Sequence, residues 1–323
     1  MRTTMMSAVL AAALSVSCVL QPALAQNNRA TLTQTGTENL AAIEQMASSQ
    51  DALATIVQNG VGNVAGGTPG GALGIMQMNS LAVTATINQT GNANMASIVQ
   101  DESTDSSVTL TQYGNTNMAS ARQLASDQAG IMAMQDGTGN MAEFTQTMVA
   151  PMMVTTRQLG DDNLLTVKQE RSGYGEPMIT QQGTANIANI AQYLDYYANP
   201  TIMQTGMRNE ASIVQNNARN TQEMMIMQTG MDNRAMVSNS GMNNASMVTQ
   251  MGDGNMAMAS KTLNGNESDI RQMGDMNTAN IVQTGTSMMG AMPNVAIIMQ
   301  MGSGATASLT QSGSNNRSTI VQR

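Results

Sequence analysis

Histidine and tryptophan are missing from this 323-residue chain, phenylalanine occurs once, and the single cysteine, Cys18, falls within the first 25 residues. Without histidine the commonest general base and the commonest metal ligand are gone. With no cysteine after Cys18, residues 26–323 have neither disulfides nor thiol chemistry, even where an oxidising compartment would permit bridges. Aromatic residues are 2% and charged residues 11% of the chain. An ordinary globular core of large apolar side chains is therefore out of reach, and Ala, Met, Ile, Val and Leu must serve amid Gln, Asn, Thr and Ser. The net charge of −8 argues against a nucleic-acid partner, because phosphate contacts need clustered Lys and Arg. Glu143, Lys168, Glu170 and Glu210 are scattered singly, as surface charges usually are. They form no catalytic constellation, and the chain is not read as an enzyme.

What is present begins with a leader. Arg2 supplies a positive start, Ala8 to Leu20 an apolar stretch, and Ala23-Leu24-Ala25 a small-residue cleavage site. Residues 1–25 thus read as a secretory signal peptide cut after Ala25. The apolar run is too short to span a bilayer. A lipoprotein reading of Cys18 meets a poor lead-in, Ser15-Val16-Ser17.

The rest is a repeat. Q-x-G elements start at Gln34, Gln58, Gln89, Gln112, Gln135, Gln158, Gln181, Gln204, Gln228, Gln250, Gln272, Gln300 and Gln311. The glycine two residues on (Gly36, Gly91, Gly114, Gly137, Gly160, Gly183, Gly206, Gly230) is invariant along the series. The asparagine five residues on (Asn39, Asn94, Asn117, Asn140, Asn163, Asn186, Asn209, Asn233) gives way once, at Ala305. Alanine follows at the seventh position in most copies. Glutamine returns at the eleventh, as Gln45, Gln100, Gln123, Gln146, Gln169, Gln192 and Gln215, with Asn239 and Lys261 as substitutes. Near the carboxyl end the return segment becomes Q-x-G itself, at Gln283, and the pattern runs on through Gln300 and Gln311 to Gln322. Self-similarity at a period of about 23 residues signals a repeat architecture.

Inside each unit the period is two. Apolar residues stand two before the first Gln, such as Ile87 and Leu110, and two before the closing Gln, such as Ile98 and Ile213. That alternation predicts strands with one face inward. Gln shares the apolar parity, so it should point inward too. G-x-x-N between the strands reads as a turn, with Gly and Asn both suited to positive φ. Insertions at 66–73 and 286–293 should bulge without breaking the register.

One two-stranded unit cannot bury its inner face, so the units must stack. The fold expected is all-β: a two-sheet parallel β-solenoid over residues 26–323 with about a dozen rungs. Inward Gln residues would then form ladders, each amide satisfying the next. No capping element is evident in the repeat pattern at either end. Open, self-similar ends invite head-to-tail addition, which builds a fibre.

The skeleton Q-x-G-x-x-N-x-A-x-x-x-Q, over about residues 30 to 322 of a secreted chain, resembles the curlin repeat of curli fimbriae. The resemblance implies a secreted structural subunit that polymerises into extracellular amyloid fibres on a Gram-negative cell surface, for adhesion and biofilm matrix. It also implies a companion nucleator or major subunit and an outer-membrane export pore. A minor, nucleating subunit is an alternative, as is a non-polymerising solenoid that binds ice or copper. The chain differs from the best-known members in its repeat number and its 34 methionines.

Those methionines cluster at Met152-Met153, at Met224, Met225 and Met227, and at Met288-Met289. They could bind Cu(I) through thioether sulfur, or simply serve as adaptable packing. Asp161, Asp162, Asp253 and Asp275 read as solvated turn charges, since the glycine-rich calcium repeat is missing. Ice binding would need a regular Thr face, and the outward column Thr33, Val57, Asn88, Thr111, Met134, Arg157 is too mixed. No cofactor and no small-molecule substrate are expected.

Overall fold

A computed structural model of the chain describes residues 27–46, 49–66, 74–218, 223–285 and 293–323. The leader read at residues 1–25, with Cys18 and the cleavage site at Ala25, lies outside them. So do the insertions at 66–73 and 286–293, apart from Gly66 and Pro293. The described residues are all β, two parallel sheets wound as a β-solenoid of about 12 turns. Two compact units divide the chain, Met1–Asp162 and Asn163–Arg323.

In the first unit the Q-x-G strands Arg29–Thr37, Leu53–Val61, Thr84–Asn92, Ser107–Asn115, Ala129–Thr138 and Met152–Asp161 lie side by side in that order. The return strands Leu40–Ala41, Val64–Ala65, Met95–Asp101, Met118–Leu124 and Met141–Thr147 form the second sheet. Two short strands, Ile43–Gln45 and Ile75–Met78, fill its beginning and pair with one another.

The second unit repeats the plan. Its Q-x-G sheet orders Met178–Thr184, Pro200–Met207, Met224–Met231, Ala245–Met251, Asn266–Met273, Asn294–Met301 and Arg317–Gln322. Its return sheet orders Leu164–Glu170, Ile187–Tyr193, Glu210–Asn216, Arg234–Ser240, Met256–Thr262, Thr278–Thr284 and Thr306–Ser312.

The register follows the sequence skeleton residue for residue. Gln58 faces Gln89, and Gln89 faces Gln112, with their glycines aligned behind them. Register is fixed because a slip of one residue would turn every apolar side chain to solvent. Between the sheets lie columns of small aliphatics, among them Ile56, Ile87 and Leu110 in the first unit and Ile202, Ile226 and Ile298 in the second, all buried. Such side chains suit a thin core, and Phe144 is the largest among them.

The insertions leave the pairing intact. Gln77 faces Gln45 from 32 residues away, and Gln300 faces Gln272 from 28.

Gln311 does not continue the Q-x-G sheet; its strand pairs with Thr278–Thr284, which places it beside Gln283 in the return sheet. Gln322 instead sits beside Gln300. Once both half-turns carry Q-x-G, spacing alone no longer says which sheet a glutamine joins.

Candidate functional site

The glycine of Q-x-G ends its strand and makes room for the next rung. Gly91 has φ near +119°, and a Cβ added to it would stand 1.9 Å from the Gly114 carbonyl oxygen. The chain then rounds an arc at one left-handed residue, and this is the residue before the asparagine, not the asparagine as the sequence reading had it. Glu38, Ala93, Thr116, Asp162, Ala185, Arg208 and Asp232 all take φ between 51° and 59° there. The asparagine is thereby turned inward.

Inside, the glutamines run as ladders along both sheets of each unit, the second unit's return ladder in two runs. Along the first unit's Q-x-G sheet each Nε2 donates to the next Oε1, from Gln34 through Gln58, Gln89, Gln112 and Gln135 to Gln158, over 2.7–2.9 Å. The second unit carries the same chain from Gln181 through Gln204, Gln228, Gln250, Gln272 and Gln300 to Gln322, over 2.8–2.9 Å. In the return sheets the ladders link Gln45, Gln77, Gln100, Gln123 and Gln146, then Gln169, Gln192 and Gln215, then Gln283 and Gln311.

The second amide proton crosses to the other sheet: Gln112 Nε2 reaches Met95 O at 3.0 Å, and Gln204 Nε2 reaches Ile187 O at 2.9 Å. A primary amide offers two donors and one carbonyl, so a ladder of this geometry satisfies a side chain that would be costly to bury alone.

A second set of ladders, of asparagine, lines the arcs. Asn94 Oδ1 accepts from both the backbone N and the Nδ2 of Asn117, while Asn94 Nδ2 donates to Asn63 Oδ1 and to Gly114 O. Asn140 continues this buried column in the first unit, and in the second Asn163, Asn186, Asn209 and Asn233 form a buried column of their own. Asn39 sits half-buried at the start of the first unit's column and donates to Gly60 O at 2.9 Å. The return arcs have their own columns, of Ser80, Ser103 and Ser126 in the first unit and, in the second, of Ser172 and then of Asn244, Asn266, Asn294 and Asn316. Sequence reading passes over the serines and over Gln77; the sole signal for the serines is a polar residue three positions past the closing Gln.

Two columns carry ionisable residues. Lys261 takes a glutamine's place in the return sheet and is fully buried, which holds its amine well below the usual lysine range. Its Nζ bonds Ala245 O and Ser246 Oγ on the opposite strand. Asp195 takes the serine place in a return arc, and burial pushes its carboxyl up to about 7. Ala218 N donates to its Oδ1, while its Oδ2 is unpartnered.

The outer faces are bare of such order. Glu143 and Lys168 stand exposed in separate strands, and Glu210 is paired at 3.3 Å with Arg234 in the next turn. Among the described residues no three His, Cys, Asp or Glu side chains group as a metal site.

The terminal strands complete the picture. Arg29–Thr37 and Arg317–Gln322 each have a partner on one edge alone among the described residues. Their core side chains Leu32, Gln34, Ile320 and Gln322 are half-buried, where the same columns inside each unit are closed.

Residues 25–53 match the family model described as Curlin associated repeat. The chain thus carries a curlin repeat there, and the skeleton of that segment recurs in the turns that follow. No curated protein matches the chain.

Proposed function

We propose that this curlin-repeat chain is a secreted structural subunit that adds head to tail to copies of itself, building an extracellular amyloid fibre of the curli type. The carrying observation is the in-register stacking of turn on turn through the glutamine and asparagine ladders. Among the described residues, the strands Arg29–Thr37 and Arg317–Gln322 each have a partner on one edge alone, with half-buried columns of Leu, Ile and Gln. The carboxyl-terminal rung of one copy offers Ile320 and Gln322 in the columns where the amino-terminal rung of another offers Leu32 and Gln34. Parallel, in-register stacking of like on like is the bonding already used between turns, so a neighbouring copy continues the ladders without a new kind of contact.

Export through an outer-membrane pore, a companion nucleating or major subunit, and a role in adhesion and biofilm matrix follow from the curlin resemblance. The leader read at residues 1–25 fits that route.

Residues 26–323, diluted from denaturant and followed by thioflavin fluorescence, test the reading. Expected are a lag that seeds shorten and fibre diffraction at about 4.8 and 10 Å. Growth without a lag would favour a nucleating subunit. A stable soluble monomer that never seeds would overturn polymerisation.

A further inference from the structure

The outer face of the second unit's Q-x-G sheet is rich in thioether. Alternation sends Met203 outward between buried Ile202 and Gln204, and Met227 outward between buried Ile226 and Gln228. Met203 and Met227 are register partners, and so are Met225 and Met247. Neighbouring strands are about 4.8 Å apart, and residues two apart on a strand about 6.7 Å. Four thioethers therefore project from one small patch of three adjacent strands.

We propose that this patch, Met203, Met225, Met227 and Met247, binds a soft monovalent d10 cation, Cu(I) or Ag(I). Thioether sulfur selects such ions over hard ones. The methionine arm is unbranched and flexible, so sulfurs spaced at the strand interval can converge on one ion. Asp269 continues the Met225–Met247 column and is held by Arg271 at 2.8 Å, placing a carboxylate at the rim.

Strand packing does not demand methionine here. The column equivalent to Met225 and Met247 in the first unit carries Thr31, Thr55, Thr86, Thr109 and Thr155, with a lone methionine at Met132. Residues 26–323 contain no His and no Cys, so no imidazole or thiolate competes for the ion. A thioether has no proton to lose, and the binding is accordingly independent of pH, unlike thiolate or imidazole ligation.

Equilibrium dialysis of the full folded chain against Ag(I), a redox-inert probe, tests this, with anaerobic Cu(I) competition against a chromophoric chelator as a second readout. The M203L/M225L/M227L/M247L variant should lose one tight site, its affinity falling at least tenfold, while the parent binds equally at pH 5 and pH 7.5. Exposed, isolated thioethers serve as the control, and M148L/M276L should bind as the parent does. Should the fourfold variant lose its β-sheet circular dichroism, M203L/M247L gives the same reading. Undiminished binding in the patch variants, equal loss in the control, or a tenfold fall between pH 7.5 and pH 5 would each overturn the site.

Discussion

Lys261 and Gln283 are register partners on neighbouring return strands, yet their side chains do not bond: Gln283 Oε1 is buried without a donor. Lys261 turns instead to Ala245 O and Ser246 Oγ. On its other side Asn239, too short to span the step, leaves its Nδ2 unpartnered. The return ladder is therefore interrupted over two turns.

Lys261→Gln should mend that gap. It replaces a buried amine by the amide that the column uses elsewhere and gives Gln283 Oε1 a donor. The expected gain is about 1–3 kcal/mol, read as a higher urea midpoint at unchanged slope. An unchanged or lower midpoint would show that the ladder tolerates the interruption.

Asp195 makes the fold acid-favoured in one window. Folded, its carboxyl keeps a proton up to about pH 7, against an ordinary value of 3.8 when the chain is unfolded. The folded state binds more protons between those values, so stability falls as pH rises through them. Asp195→Asn keeps the shape and removes the titration, and should flatten the pH dependence of the unfolding midpoint. A slope as steep as the parent's would assign the effect to another group.

Removing one rung amide tests the ladder itself. Gln112→Ala strands the Nε2 of Gln89, the Oε1 of Gln135 and the carbonyl of Met95. The cost should be about 3–9 kcal/mol, since each of the three stranded groups costs about 1–3. Its neighbour Thr111 points outward, and Thr111→Ala should stay within about 0.5 kcal/mol. Equal effects at the two positions would refute the ladder's share in stability.

The glycines divide by position. Gly91→Ala drives a methyl into the Gly114 carbonyl and should cost more than about 3 kcal/mol. Gly62, on the arc, has nothing within 4 Å of an added Cβ and φ near +65°. Gly62→Ala should cost about 1 kcal/mol, as Ala93 already occupies that place in the next turn. Thermal midpoints of the two variants make the comparison.

Much of this architecture can be read without coordinates. Period two, the parity of Gln with Ile, and the return of the skeleton every 23 residues or so lead directly to stacked parallel strands. The asparagine columns are less legible. Asn beside Gly ordinarily marks a left-handed residue, and what turns Asn94 inward is the bond that Asn117 makes to it from the next turn, a contact no local pattern encodes. Ser103 and Asp195 are hidden for the same reason: a polar residue in a short arc looks solvated until its neighbours along the stack are in place. Lys261 reads as a mere departure from Gln, and its burial appears once its strand is set between two others.

The steady register across 32-residue and 28-residue turns has a practical meaning for the chain's length. Hydrogen bonding between strands is settled rung by rung, whatever length of chain joins one rung to the next. Chain added between Gly285 and Pro293 should therefore leave every described rung its partner, because loop closure grows costlier only slowly with length. The strand positions keep time for the described residues, and the number of residues that separates two of them in the chain does not enter the beat.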